Sequence, residues 1–195
     1  MALWSDEFAA VLSNAPGLAP GIFTYPIYKG THERGGDLRG VSFVTLGSGA
    51  YRDYFVQLSK DLSRTIDYVE TRQDLQADQL AYMGYSWGAV MGSVLPALER
   101  RIKVNVLMIG GLVMDTRFPE SDQINFAPRI TIPTLMLNGR YDFRFPLETS
   151  QRPMFRLLGA KDKDHVLFET GHALAADQIS KPVLDWLDKY LGPVK

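Results

Sequence analysis

The sequence predicts a three-layer α/β domain whose mostly parallel sheet holds about 5-6 strands. Short apolar runs alternate along the chain with segments of helical periodicity, a pattern typical of strands that are joined by helices on both faces of a sheet. The length of 195 residues suits one domain with one sizeable core, and no internal repeat or low-complexity segment interrupts it. We therefore treat residues 1–195 as a single domain.

The predicted strands are apolar runs that end at glycine, proline or polar residues. Pro26 places the first of them toward a sheet edge or a bulge, because proline cannot donate to a strand ladder. In chain order the strands cover residues 21–29, 80–85, 104–111, 132–138 and 166–169, with further strand character at 41–46.

The predicted helices carry apolar residues at three- and four-residue spacing. Ser5 and Ser180 are suitable N-caps for the first and last helix, and Pro146 suits the first position of the fourth. The helices begin near residues 5, 51, 87, 146 and 181 and end near residues 14, 72, 98, 158 and 191, with an irregular excursion at 112–129. The last helix is expected to turn four apolar side chains inward: Val183, Leu184, Leu187 and Leu191.

Charge and composition argue against several classes of function. The 21 basic and 22 acidic residues give a net charge of −1, so nucleic acid is not an expected partner. The absence of cysteine removes disulfides, thiolate metal sites and a cysteine nucleophile, and three histidines are too few for a histidine-rich metal site. The longest apolar stretch is too short to span a bilayer, and the N-terminus is acidic where a signal peptide is basic. We expect a soluble, cytoplasmic protein with no membrane partner.

The strongest chemical signal is the run GYSWG at residues 84–88, at the turn from the second main strand into a helix. A serine on such a turn points its hydroxyl out of the sheet edge, and the strained backbone typically costs ~1–3 kcal/mol. The pattern arises by chance in about one chain of this length in fifteen, so an idle serine in a glycine-bracketed turn is the alternative. The context favours Ser86 as a nucleophile, with the backbone N–H of Trp87 as an oxyanion donor.

Asp142 follows the strand at 132–138, at the carboxyl end where open α/β sheets place their active groups. An aspartate there can accept an imidazole N–H and fix the histidine tautomer. The alternative is a surface aspartate that pairs with Arg140 or Arg144. Asp115 is the reserve acid.

His172 lies between the last strand and the last helix, so that its loop can bring it to Ser86 as the general base. His165, before the last strand, is expected at the surface, and His32 in a glycine-rich loop. The order Ser86, Asp142, His172 is that of nucleophile, acid and base in one large class of hydrolases.

The segment LMLNGRYDFRFP at 135–146, the GYSWG turn and the Gly171-His172 pair together resemble the α/β-hydrolase superfamily, over roughly residues 21–191. More narrowly, YPIYKGT at 25–31 and DYVETR at 67–72 resemble dienelactone hydrolase and prolyl-oligopeptidase-like domains. The resemblance implies an esterase, lactonase or peptidase that uses Ser86, Asp142 and His172 and needs no cofactor.

The N-terminus departs from this family, because the sequence predicts neither the usual N-terminal strands nor the glycine-rich loop that gives a second oxyanion donor. This departure has three interpretations. The segment Gly47-Ser48-Gly49 supplies a substitute donor, the protein is a weak enzyme, or the chain is a fragment of a longer protein. Missing strands also expose sheet edge, which makes a homodimer possible.

The predicted function is hydrolysis of small-molecule carboxylic esters with short acyl groups. Tyr85 and Phe143 are predicted to bind substrate, and further candidate walls of an acyl pocket are Trp87, Phe118, Phe126 and Phe145. The alternatives are a peptidase and a non-catalytic interaction module.

Overall fold

The computed structural model describes residues 8–13, 21–26, 49–114 and 118–192. Six strands in these ranges form one sheet in the order β2-β1-β3-β4-β5-β6. The last four strands are parallel to one another, and β1 is antiparallel to both of its neighbours. The strands are β1 (Phe8–Ser13), β2 (Gly21–Pro26), β3 (Leu80–Tyr85), β4 (Ile102–Met108), β5 (Thr134–Gly139) and β6 (Lys163–Phe168).

The mostly parallel α/β sheet and its six strands confirm the predicted fold class, and β2 is an edge strand as Pro26 indicated. The prediction of a first helix at residues 5–14 is wrong, because residues 8–13 form β1. This segment pairs along its length with β2 and, from Ala9 to Ser13, with β3. The apolar run is too short for its spacing to distinguish a helix from a strand, and hydrogen bonding to strands on both sides selects the strand. The segment 41–46 lies outside the described residues.

Two apolar clusters lie on opposite faces of the sheet and create the three layers. Helix α1 (Gly49–Glu70) covers one face with seven buried side chains, as its periodicity predicted: Tyr51, Tyr54, Phe55, Leu58, Leu62, Ile66 and Val69. Helix α6 (Ala176–Leu191) covers the other face, where Ile179 and Val183 pack on Met83, Val106 and Leu135. No helix within the described ranges is both long enough and apolar enough to cross a membrane.

The remaining helices are shorter than predicted. The helix expected at residues 87–98 divides into α2 (Trp87–Met91) and α3 (Leu95–Leu98), with Pro96 in the first turn of the second. Helix α4 (Gln123–Phe126) lies between two short 3-10 turns in the irregular excursion. The helix expected at 146–158 is a π-helical turn, Leu147–Gln151, followed by α5 (Arg152–Leu157).

The last helix starts five residues before its predicted start, so Ser180 is an interior residue and not its N-cap. The Ser180 hydroxyl donates to the carbonyl of Ala176, and the Gln178 side chain accepts from the N–H of Ala175 at the true start. The extra turn adds Ile179 to the buried face beside Val183, whereas Leu184, which was expected to face inward, is 56% exposed.

His165 lies within β6 and is partly buried, so the prediction of a surface histidine before the last strand is wrong. Its Nε2 atom is 3.0 Å from Asn138 Oδ1, and its ring packs against that of Phe155 with 5.4 Å between ring centres. Burial disfavours the charged imidazolium and lowers the pKa of His165 from 6.5 to about 4, with a smaller contribution from the nearby charge of Arg152.

Because the pKa of His165 is lower in the folded chain, the unfolded chain binds more protons between about pH 6.5 and pH 4. The free energy of unfolding should therefore fall as the pH falls through this window. In His165→Gln, which keeps an amide donor toward Asn138, the fall should be smaller by about 1–3 kcal/mol. Urea unfolding of both proteins from about pH 7 to about pH 4.5 measures this difference. Parallel stability curves for the two proteins would contradict the partly buried, neutral state of His165.

Candidate active site

Ser86 occupies the turn between β3 and α2 in a strained backbone conformation, with φ of 52° and ψ of −110°. The turn is possible because Gly84 lies against the first turn of α2: a Cβ atom at position 84 would be 2.2 Å from the carbonyl oxygen of Gly88. The N–H of Ser86 donates to the carbonyl of Met108 at 2.8 Å, which ties the turn to the end of β4. The serine hydroxyl thus lies at the carboxyl edge of the parallel strands, where the sequence placed it.

A second strained residue lies beside this turn. Ile109 follows β4 with φ of 43°, and among the described residues only Ser86 and Ile109 combine a side chain with a positive φ. The N–H of Ile109 donates to the carbonyl of Leu137 at 2.7 Å, and its side chain is fully buried. A positive φ is rare for a β-branched residue and persists only where the surrounding structure enforces it. Residues with such strained backbones are concentrated at functional sites.

Asp142 lies in the loop after β5, with its carboxylate entirely buried. One oxygen, Oδ1, accepts the backbone N–H groups of Arg144 and Phe145 at 2.8 and 3.1 Å. The other oxygen, Oδ2, is 2.8 Å from His172 Nδ1. The side chain of Arg140 pairs with Glu169 at 2.6 Å, so the alternative of an aspartate paired with Arg140 at the surface does not describe this residue. The reserve acid, Asp115, lies outside the described residues.

His172 connects the carboxylate to the serine. Its Nε2 atom is 2.9 Å from Ser86 Oγ, its side chain is 11% exposed, and its ring packs against that of Phe145 with 5.8 Å between ring centres. A proton on Nδ1 that is donated to Asp142 leaves a lone pair on Nε2, which can accept the proton of the serine hydroxyl. The structure thus brings the three predicted residues into one hydrogen-bonded chain.

The histidine loop and the aspartate loop meet closely at Gly139. A Cβ atom there would lie 2.0 Å from the carbonyl oxygen of Gly171 and 2.6 Å from that of Thr170. The N–H of Tyr141 donates to the carbonyl of Thr170 at 2.9 Å. The bare backbone at position 139 therefore lets the two loops approach within hydrogen-bonding distance.

The two predicted substrate-binding residues lie in different surroundings. Phe143 is 76% exposed beside His172, with 6.3 Å between ring centres, and the Arg144 guanidinium lies 5.7 Å above its ring. Tyr85 packs against the apolar cluster on the α6 face, and its hydroxyl is 3.4 Å from the N–H of Leu174.

The candidate pocket walls also differ in position. Trp87 is buried, 6.3 Å from Tyr51 between ring centres, and its backbone N–H directly follows the serine. Phe145 packs on His172, whereas Phe118 is 39% exposed. Phe126 lines a groove on α1 that includes Phe55 and none of the three hydrogen-bonded residues. The candidate donor segment at 47–48 and His32 lie outside the described residues, and Gly49 begins α1.

Three contributions to this site carry no sequence signal. The two backbone N–H groups that bind Asp142 follow from the shape of its loop, and the buried side chain of Gln151 contacts that loop only through backbone carbonyls.

Within the part of the chain that the structure describes, no group of three or more histidine, aspartate or glutamate side chains is arranged to hold a metal ion.

Comparison with known proteins identifies the fold. No family model matches the chain, and no curated protein matches it either. Solved structures do match, among them a zinc-bound structure of a cold-adapted esterase from an Arctic intertidal metagenomic library, with a TM-score of 0.56 and 22% identity. That match covers 75% of this chain and 66% of the esterase, just under two thirds of its length.

Two further solved structures match this chain with similar TM-scores and sequence identities. An acetyl xylan esterase from Paenibacillus sp. R4 has a TM-score of 0.59 and 19% identity over 71% of this chain and 54% of its own. A protein from Klebsiella pneumoniae that carries the name of a dienelactone hydrolase has a TM-score of 0.59 and 22% identity, over 70% of this chain and 62% of its own. The chain has the fold of the α/β hydrolases, as the sequence resemblance implied.

Proposed function

We propose that the protein is a serine hydrolase that cleaves carboxylic esters with small or short acyl groups. The observation that carries this proposal is the hydrogen-bonded chain from Ser86 Oγ through His172 to Asp142, with distances of 2.9 and 2.8 Å. Nucleophile, base and orienting acid in this arrangement are the working parts of acyl transfer by a serine. The likeness to structures of esterases supports the same reaction class.

In the first half of the proposed reaction, Ser86 Oγ attacks the ester carbonyl carbon while His172 Nε2 takes the hydroxyl proton. Asp142 keeps the imidazole in the tautomer that can accept this proton and stabilises the imidazolium that forms. The negative charge that develops on the carbonyl oxygen is stabilised by backbone N–H donors, of which the Trp87 N–H is the one next to the nucleophile. The bond to the alcohol then breaks, and the alcohol leaves with the proton from Nε2.

In the second half, water attacks the carbonyl carbon of the acyl-enzyme while His172 takes one of its protons. The bond to Ser86 Oγ breaks, Nε2 returns the proton to the serine oxygen, and the carboxylic acid leaves. No proton is gained or lost by the protein over the cycle, and all atoms of the two products come from the ester and water.

The preference for short acyl groups is part of the proposal. The described residues between β4 and β5 form only short helical turns, and Met114 there is 72% exposed. Phe143, at the mouth beside His172, is 76% exposed. Long acyl chains gain affinity from deep apolar enclosure, and the exposed Phe143 beside His172 forms an open rim in its place.

Hydrolysis of p-nitrophenyl esters from acetate to palmitate by the wild-type chain tests this proposal. We expect the highest kcat/KM among the shortest acyl groups and a steady fall with length. A fluorophosphonate probe should add its phosphonyl group to the peptide that contains Ser86, with loss of fluoride, and mass spectrometry of the digest locates it.

A dipeptidyl p-nitroanilide ending in proline serves as the matched amide substrate. Cleavage of this anilide in preference to all of the esters would overturn the ester assignment in favour of a peptidase. If no ester is turned over and no probe is attached, the chain is not a serine hydrolase.

A further inference from the structure

A single buried amide holds both ends of the loop that carries Asp142. The side chain of Gln151 is fully buried, and its Nε2 atom donates to the carbonyl of Gly139 at 2.9 Å and to that of Phe145 at 2.7 Å. Gly139 is the last residue of β5, and Phe145 is where the loop turns toward the next helical segment. The two hydrogen atoms of one amide nitrogen therefore connect the start of the loop to its end.

The π-helical turn presents Gln151 to this loop. The N–H groups of Ser150 and Gln151 both donate to the carbonyl of Pro146, at 2.9 and 3.2 Å, so the turn is one residue wider than an α-helical turn. Ser150 fixes the turn to the chain after β4, because its hydroxyl donates to the carbonyl of Leu112 at 2.7 Å. Single π turns are rare in proteins and are frequent at functional sites.

Each carbonyl that Gln151 binds belongs to a peptide segment that also contacts Asp142. The Gly139 carbonyl accepts the backbone N–H of Asp142 at 3.3 Å, and Phe145 donates its N–H to Asp142 Oδ1 at 3.1 Å. A displacement of either end would move the carboxylate relative to His172. Misplacement of a reacting group by about 1 Å can cost roughly 10²-fold in rate.

The chemistry of the contact selects an amide. Two carbonyl oxygens need two N–H donors on one atom, which glutamine provides and glutamate and methionine do not. Among the described residues Gln151 Oε1 has no hydrogen-bond partner, which is a cost in a buried position. The two hydrogen bonds that Gln151 donates to the Asp142 loop therefore account for its position.

We infer that Gln151 is a positioning residue, which holds the Asp142 carboxylate against His172 by joining the two ends of its loop. This inference rests on the hydrolase function proposed above. It assigns to Gln151 no contact with substrate.

Gln151→Met is the direct test, because methionine has a similar length and no donor. We expect kcat for p-nitrophenyl acetate to fall by about 10–100-fold with KM changed by less than about twofold, since the nucleophile and the rim are unaltered. Gln151→Asn, whose amide is too short to reach both carbonyls, should lie between the two proteins and replaces the methionine variant if that variant does not fold.

Gln123→Met is the matched control. Gln123 is also fully buried, and its Nε2 atom also donates twice, to Ser93 Oγ at 2.8 Å and to the Gly111 carbonyl at 3.0 Å. Its Oε1 atom accepts the N–H of Val113 at 2.9 Å, and none of these three hydrogen bonds is to the Asp142 loop. Gln123→Met should lose at least as much stability as Gln151→Met, while kcat stays within about threefold of the wild type. An equal loss of kcat in both variants would overturn the inference, since it would reflect destabilisation alone.

A second readout does not depend on turnover. Spectra of the protein with ¹⁵N-labelled histidine show which imidazole nitrogen carries the proton, and His172 is assigned by its loss in His172→Asn. The Nδ1-protonated form should dominate in the wild type, Ser86→Ala and Gln123→Met, and a mixture of both tautomers should appear in Gln151→Met. If the wild type hydrolyses no ester, the proposed function fails while this spectrum still decides the role of Gln151. An unchanged His172 tautomer in Gln151→Met overturns that role.

Discussion

Ser86→Ala should lower kcat for a short p-nitrophenyl ester by roughly 10⁶-fold, to the level of uncatalysed background plus what binding alone provides. The reason is that the proposed reaction begins with a bond between Ser86 Oγ and the acyl carbon, and alanine has no atom to form it. The fold should persist, because alanine keeps the Cβ atom in the same strained backbone and the described side-chain hydrogen bond of Ser86 is the one to His172. Steady-state kinetics and circular dichroism measure the two expectations.

Ser93→Ala is the control for this variant. Ser93 is a buried serine in the same strand-turn-helix segment, and its hydroxyl donates to the carbonyl of Val90 at 2.6 Å and accepts from Gln123 Nε2 at 2.8 Å. Its loss should reduce the free energy of unfolding by about 1–3 kcal/mol, because the Gln123 donor is left unpaired, and leave kcat within a few-fold. Undiminished turnover in Ser86→Ala would refute the nucleophile assignment and return the serine to the role of an idle turn residue.

Asp142→Asn should lower kcat by about 10⁴-fold although it changes a single atom. The Oδ1 position accepts two backbone N–H groups, so an asparagine oxygen is held there and its NH₂ group is turned toward His172. Nδ1 must then accept a hydrogen bond, the proton moves to Nε2, and Nε2 can no longer accept the proton of Ser86. The kinetic loss should therefore appear in kcat with little change in KM.

Asp122→Asn provides the comparison. Asp122 is the N-cap of α4 and accepts the N–H of Ile124 at 3.1 Å, a bond that asparagine also makes. Asparagine and aspartate are close to equal as N-caps, so this variant should match the wild type in stability and rate. A loss of less than tenfold in Asp142→Asn would move the acid role away from Asp142.

The sequence predicted those features of the site that depend on the order of strands and helices along the chain. Parallel strands end at one edge of the sheet, so residues that follow β3, β5 and β6 were expected to meet there, and Ser86, Asp142 and His172 do meet. The glycine spacing around Ser86 was informative for the same reason, because it reports a local steric requirement of the strand-to-helix turn.

Prediction from sequence failed where the structure depends on contacts between distant segments. The apolar residues of the segment 8–13 fit a short helix as well as a strand, so the sequence pattern alone does not decide between them. The strand is selected by pairing with β3, whose residues lie about seventy positions further along the chain. His165 was assigned to the surface because its strand begins three residues earlier than its apolar pattern suggests. Gln151 carried no signal, since its partners are carbonyls that every residue possesses.

The close approach of the two loops at Gly139 has a consequence for engineering this protein. A Cβ atom added at position 139 would lie 2.0 Å from a neighbouring carbonyl oxygen, and one added at position 84 would lie 2.2 Å from another. A library that varies either position therefore samples mainly unfolded chains. Phe143 is 76% exposed beside His172, with 6.3 Å between ring centres. Directed evolution of substrate preference is therefore best aimed at Phe143, where the backbone that aligns the reacting groups is left untouched.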